Sequence, residues 1–552
     1  MRTSPIQENG ITLKAYAGTT GVMLAMNADE NKRAGLLGFA IERLRVGNNK
    51  RDWLEGGLQF PGVVHTPGEL VASNRAPIQK FRWSDYSVYP DEEYTYTVHP
   101  FYGTPLQPRV EAGPAATVRT ESLQSGEHHV IFNRAAAASQ AFSRRFKNFI
   151  DQADAARKAK QPAPALPPEA LNWLTRGLLD QILNFIRRAQ DPNWAIDIAI
   201  YEYELPAIIQ EVEAAHARGA KVRIVFHAKP NDPQTAVNIQ NLASLPNSIK
   251  RPRITHKICH HKFIVLSQVA GGVYQPCAVL CGSTNFTENG VYRQANVVHV
   301  VERTDLAREY LDLFEDLFRG DDVKSTKKYI DQTNPMDESR SLFAGFSPRS
   351  GLVDLKEFIR IVDGARRDVL FCTAFNLYDP LQQALLGQPH DAILRYGLQN
   401  TRSKITGFHS DRTAEFTASA MLSGGLEGWL KESTVGQKGN ILIHTKIAIV
   451  DFTSDSPTII SGSHNLSKPA SNGNDENFLI LRGLPGVCDV YGCELMRLYD
   501  HYRFRFHVAG QSKAGVAPRP LTLTPDDSWT IPYFGGDPLK SLDRPRFAGE
   551  AI

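Results

Sequence analysis

Two stretches place a histidine and a lysine two positions apart: His260 and Lys262 in "ICHHKFIVL", and His444 and Lys446 in "ILIHTKIAIV". Each pair sits in an apolar run that reads as a strand, where side chains at i and i+2 share a face, so each histidine and lysine project together. Each pair is followed by a Gly-Ser-x-Asn turn, with Gly282, Ser283 and Asn285 after the first and Gly462, Ser463 and Asn465 after the second. Asn296 and Asn477 then open the next apolar run, and matching one with the other sets Glu476 against Ala295. Either motif alone is commonplace. Their duplication in one order is not.

These residue types fit displacement at a phosphodiester. That reaction needs a nucleophile, an acid for the leaving alcohol, and positive charge around the phosphoryl oxygens. One histidine can attack phosphorus to give a phosphohistidine, while the other protonates the leaving oxygen and then activates water. Two lysines and two asparagines supply fixed donors where negative charge builds up. No metal ion or cofactor is required. Glu476, a carboxylate near an imidazole, is a candidate to fix the tautomer of one histidine and raise its pKa. His261 has the wrong parity for the cleft. His256 and Lys257 are read as surface residues.

The paired motifs resemble those of the phospholipase D superfamily, over roughly residues 170–508. The resemblance implies two copies that meet at their interface, with the His-x-Lys strands facing each other across one phosphate-binding cleft. Each copy would be a mixed sheet flanked by helices. It also implies a phosphodiesterase with His260 as nucleophile and His444 as acid and base. Lys262, Lys446, Asn285 and Asn465 would bind the phosphate, and Ser283, Ser463, Asp451, Glu476, Asn296 and Asn477 would support them. The superfamily's motif continues through four residues to an Asp, present here as Asp451 but replaced by Ser267 in the first copy. A carboxylate there could order the strand or a backbone turn, so the first copy is expected to be looser.

The elements that must carry these residues also repeat. "WAIDIAIYEYEL", "PAIIQEVEAAHARGA" and "KVRIVFHA" read as strand, helix, strand, and "RRDVLFCTAFNL", "YDPLQQALLG" and "DAILRYGLQN" read the same way. The fold class expected is therefore α/β with mixed sheets, in two halves related by a pseudo-twofold axis (residues 170–335 and 336–508), preceded by an all-β sandwich. The sandwich is drawn from the short alternating strands of residues 1–125, where "EEYTYTVHPFYG" resembles the penultimate strand of a fibronectin type III domain. Residues 126–169 read as a helical, Pro-rich connector, with Arg134, Arg144 and Arg145 on a solvated basic helix. Residues 509–552 read as an extended tail anchored by Trp529, Tyr533 and Phe534.

The 552 residues carry 62 basic and 59 acidic side chains, so no global field marks a nucleic-acid or membrane-surface binder, and attraction for a phosphate must be local. No apolar run approaches the length of a membrane span, and the first residues lack a secretion signal's layout, so a cytoplasmic protein is expected. The six cysteines read as buried thiols. A chain holding both copies needs no second chain to complete its site, so a monomer is expected, with the sandwich free to engage a protein partner. Among substrates, phospholipid head-group hydrolysis or transfer is favoured because fused copies are common among phospholipid-acting relatives. A nuclease cleaving DNA or RNA is the first alternative and a non-catalytic phosphoanion binder the second.

Overall fold

Tyr94, Tyr96 and Val98 alternate with Thr95, Thr97 and His99, and the strand Glu93–Thr104 buries the first set while leaving the second partly exposed. That period-two pattern is what a sheet with one covered face requires. The computed structural model describes residues 1–63, 69–135, 141–142, 145–162, 164–254, 257–320, 322–388, 391–400, 407–408, 414–418, 442–513 and 522–550. In it, Ile6–Glu8, Ile11–Ala17, Val22–Ala28 and Arg82–Asp85 form one antiparallel sheet, and Gln107–Val110, Glu93–Thr104, Gly38–Arg45 and Lys50–Trp53 a second, which Ala115–Arg119 joins on Glu93–Thr104. Leu13 and Leu24 of one sheet meet Ile41, Tyr96 and Val98 of the other in a common core.

The two halves of the body have sheets of the same order. In the first, His128–Phe132, Val297–Val301, Val273–Gly282, Lys262–Ala270, Trp194–Ile200, Lys221–His227 and Lys250–Arg253 lie side by side. In the second, Leu342–Ser347, Glu476–Arg482, Thr458–Gly462, Ile447–Val450, Asp368–Thr373, Leu394–Gln399 and Ala414–Ala418 follow in that order, with Gly407–Phe408 at the edge. Trp194–Ile200 runs parallel to Lys221–His227 and antiparallel to Lys262–Ala270, and Asp368–Thr373 repeats both relations. The inner strands are almost wholly buried, as sheets covered on both faces demand. Pro206–Ala217 and Asp379–Leu386 supply the crossovers, each with proline in the first turn, where its missing N–H costs nothing.

The structure changes the expected boundaries in two places. "HHVIF", expected to begin a helical connector, is a strand pairing antiparallel with Val297–Val301; its β-branched and aromatic residues complete the first sheet. The tail is not extended throughout: Asp527–Tyr533 is a 3-10 helix and Pro538–Ala548 an α-helix, each N-capped by an aspartate. Trp529 is buried, donates to Leu36 O (2.7 Å), and with Tyr533 and Phe534 packs on Phe81 of the sandwich. Phe547 meets Tyr16 of the sandwich and Phe452 of the second half, so the tail joins the two bodies. None of the six cysteines is paired, and five are buried. Among the described residues no helix is long and apolar enough to cross a membrane.

Candidate active site

The halves meet where the two motif strands begin. His260 N donates to Asp475 O (2.8 Å) and Asp475 N to Ile258 O (2.9 Å), while Ala295 N donates to Leu442 O (2.8 Å) and His444 N to Ala295 O (3.0 Å). Each histidine-bearing segment thus runs beside the residues that open the other half's last strand. The His260 and His444 ring centroids lie 6.3 Å apart, with their planes at 74°.

Each imidazole is gripped from the opposite half. His260 Nδ1 lies 2.7 Å from Glu476 Oε2. His444 Nδ1 lies 3.0 Å from Asn296 Oδ1 and 3.1 Å from Ser283 O. Ser463 Oγ donates to Glu476 Oε2 (2.7 Å) and Ser283 Oγ to Asn296 Oδ1 (2.8 Å), and in both halves the acceptor comes 13 residues after its serine. Asn296 therefore answers to Glu476, not to Asn477 as residue-type matching suggests, and Asn477 answers to Val297. The equal spacing from each serine carried this signal; the coincidence of two asparagines hid it. Asn477 sits behind the cleft, its Oδ1 accepting from Lys262 N (3.1 Å) and in contact with His261 Nδ1 (3.4 Å).

Lys262 and Lys446 are buried, and each Nζ donates to the carbonyl of its own histidine, at 2.8 and 2.6 Å. The ammonium groups lie 5.3 Å from the Tyr201 ring centre and 5.9 Å from that of Phe375. Asn285 and Asn465 follow their serines in the two turns, each with a buried Oδ1 that takes no hydrogen bond among the described residues. The turns approach the last strands so closely that a Cβ on Gly282 would stand 2.2 Å from Val297 O, and one on Gly462 2.4 Å from Asn477 O. Only glycine fits at either position.

The electrostatics are set by two buried ammonium groups acting on each other and on the two imidazoles. Burial, then Lys262 and Lys446, holds the His260 imidazole well below the usual histidine range, and burial with the same two ammonium groups does so for His444. Burial lowers Lys262 to about 8, with Glu476 and Glu202 opposing, and takes Lys446 well below the usual lysine range. Burial raises Glu476.

Three residues at the cleft escaped the sequence reading: Tyr201, Glu202 and Phe375. The Tyr201 ring lies 5.3 Å from that of His260, and the Phe375 ring 6.3 Å from that of His444. Glu202 Oε2 accepts from Asn285 Nδ2, and burial pushes this carboxyl up to about 7, with Lys262 opposing. The signal was the break from apolar to "YEYE" where a buried strand ends.

Asp451 lies away from the rings. With φ at 56°, its Oδ1 accepts from Arg366 N (2.9 Å) and Arg367 N (2.7 Å), tying the end of its strand to the turn that starts Asp368–Thr373. In the first half, the Ser267 hydroxyl is buried with no partner among the described residues, beside a break in register between Leu266 and Ser267. Arg134 stacks on Trp173 at 4.6 Å and Arg145 on Phe146 at 5.9 Å, while Lys257 is exposed. His256 and Arg144 lie outside the described residues.

Residues 182–318 match the family model described as cardiolipin synthase, PLD-like domain. This match places a PLD-like domain at residues 182–318. Solved structures that resemble it include phosphatidylserine synthase of Haemophilus influenzae, at 14% identity over 60% of this chain and 85% of that one, with a TM-score of 0.41. Nuc of Salmonella typhimurium, a phospholipase D family member, is 24% identical over 25% of this chain and 84% of its own, with a TM-score of 0.21. Polyphosphate kinase of Porphyromonas gingivalis is 14% identical over 55% of this chain and 46% of its own, with a TM-score of 0.38, so the chain spans about half of that kinase. No curated protein sequence matches the chain.

Proposed function

We propose that the protein is a phosphodiesterase of the phospholipase D type, working through a phosphohistidine and needing no metal ion. The observation that carries this is the pair of imidazoles 6.3 Å apart, each held at Nδ1 from the other half. That grip directs both Nε2 atoms to chemistry. His260 Nε2 bonds to phosphorus as the bond from phosphorus to the leaving alcohol breaks, and His444, protonated at Nε2, gives its proton to the departing oxygen. His444 then takes a proton from water, whose oxygen displaces His260 from phosphorus.

The two Nδ1 partners support this order. The Glu476 carboxylate stabilises the positive charge that a phosphorylated His260 ring carries, whereas the neutral Asn296 amide only fixes the tautomer of His444. Lys262, Lys446, Asn285 and Asn465 are the donors for the phosphoryl oxygens. A bound phosphodiester offsets the two ammonium groups and so returns His444 toward protonation. Phospholipid is the favoured substrate class, supported by both copies standing in one chain and by the match to a family model described for cardiolipin synthase. Nucleic acid is the second reading, favoured by Phe375, whose 40% exposed ring beside His444 suits a stacked base.

Bis(p-nitrophenyl) phosphate should be turned over in EDTA, and His260→Ala or His444→Ala should abolish steady turnover. Persistent turnover in either variant, or loss on chelation, contradicts the assignment. Head-group release from vesicles against cleavage of labelled DNA and RNA separates the two substrate classes.

A further inference from the structure

The candidate phosphate-binding parts of the site are paired across the pseudo-twofold axis: two histidines, two lysines and two asparagines. A phosphoryl group has matching oxygens to offer them. The two alcohol arms of a diester need not match, and the site departs from symmetry where they would lie. Two registers agree on the position. Ile200 pairs with Lys262 and Cys372 with Ile447, and Leu205 N donates to Phe286 O as Tyr378 N does to Leu466 O. Both set Glu202 in the first half against Phe375 in the second.

We infer that Glu202 is a specificity-determining residue that accepts a hydrogen bond from an ammonium or hydroxyl group carried on one arm of the phosphodiester. The inference rests on the phosphodiester reading above. Glu202 Oε2 is engaged by Asn285 Nδ2, one of the phosphate-binding candidates, which fixes the carboxylate at the rim of the anion site. Among the described residues nothing donates to Oε1, and the residue is only partly buried. Among the described residues Glu202 makes no close ion pair; Lys262 and Lys446 act on it electrostatically and their ammonium groups instead donate to backbone carbonyls. A lone carboxylate beside a phosphoryl group repels it, and Glu202 already bears the repulsion of Glu204. A donor on the substrate removes that cost and turns it into selection, because an arm lacking the donor leaves the carboxylate desolvated and unpaired. On the opposite side Phe375 offers the second arm an apolar face.

The test compares O-phosphoethanolamine with propyl phosphate, of similar size but without a donor, by titration calorimetry on the full chain. Wild type should bind phosphoethanolamine at least about tenfold more tightly, as a charge-assisted hydrogen bond implies. In Glu202→Ala the gap should close. In Glu202→Gln, which keeps an acceptor oxygen without the charge, it should shrink, and a folded Gln variant covers an Ala variant that fails to fold. Equal binding by wild type, or a gap that survives both substitutions, overturns the inference. Turnover of bis(p-nitrophenyl) phosphate by wild type is read separately. Its absence alongside intact discrimination counts against the phosphodiesterase and leaves Glu202 as a ligand-selecting residue.

Discussion

The two halves differ most consequentially in a single side chain, the carboxylate of Glu476 set against the amide of Asn296. If that difference divides the labour between the imidazoles, Asn296→Asp gives His444 a carboxylate as well and raises its pKa. An acid works only while protonated, so the basic limb of the kcat/KM profile should move to higher pH in this variant. An unmoved limb would mean that His444 is not the titrating acid. His260, Lys262, His444 and Lys446 were legible in the sequence because duplicated spacing survives where single motifs do not. Glu202 was not, since a lone glutamate after a strand looks like any exposed turn until the fold sets it beside Asn285.

At the scale of elements, the same strand–crossover–strand unit serves both halves, but its far end is finished differently. Asp451 accepts three backbone N–H groups, whereas Ser267, its counterpart, has no partner among the described residues. Asp451→Ala strands those donors and should cost about 1–3 kcal/mol in urea denaturation. Ser267→Ala removes an unpaired hydroxyl and should leave the midpoint unchanged or slightly raised. Similar losses from both would mean that the aspartate does not order the turn. The repeated strands and crossovers were readable from their apolar runs and proline starts. The strand His128–Phe132 was not, because its pairing is settled by the distant Val297–Val301 and its own sequence leads straight into alanine-rich, helix-favouring residues.

At the scale of the whole molecule, the candidate active site is an interface. Arg253 of the first half grips Asp475 of the second through two hydrogen bonds, 2.9 and 3.0 Å, one residue before Glu476 and at the carbonyl that receives His260 N. The sandwich is fastened to the same body by Arg2, which donates to Asp489 and to the carbonyls of Phe452 and Ser454. Sequence could foresee that two halves meet, since the motifs are incomplete apart. It could not foresee which side chains lock them, because arginines and aspartates are frequent and only the fold says which are buried. The central claim, that histidines from both halves act in turn on one phosphorus, is tested most directly by mass spectrometry of His444→Ala after exposure to bis(p-nitrophenyl) phosphate. Because p-nitrophenolate leaves without an acid, the account predicts one equivalent released and a p-nitrophenyl phosphoryl adduct held on the peptide containing His260. No adduct on that peptide, or an adduct on His444 in His260→Ala, would contradict it.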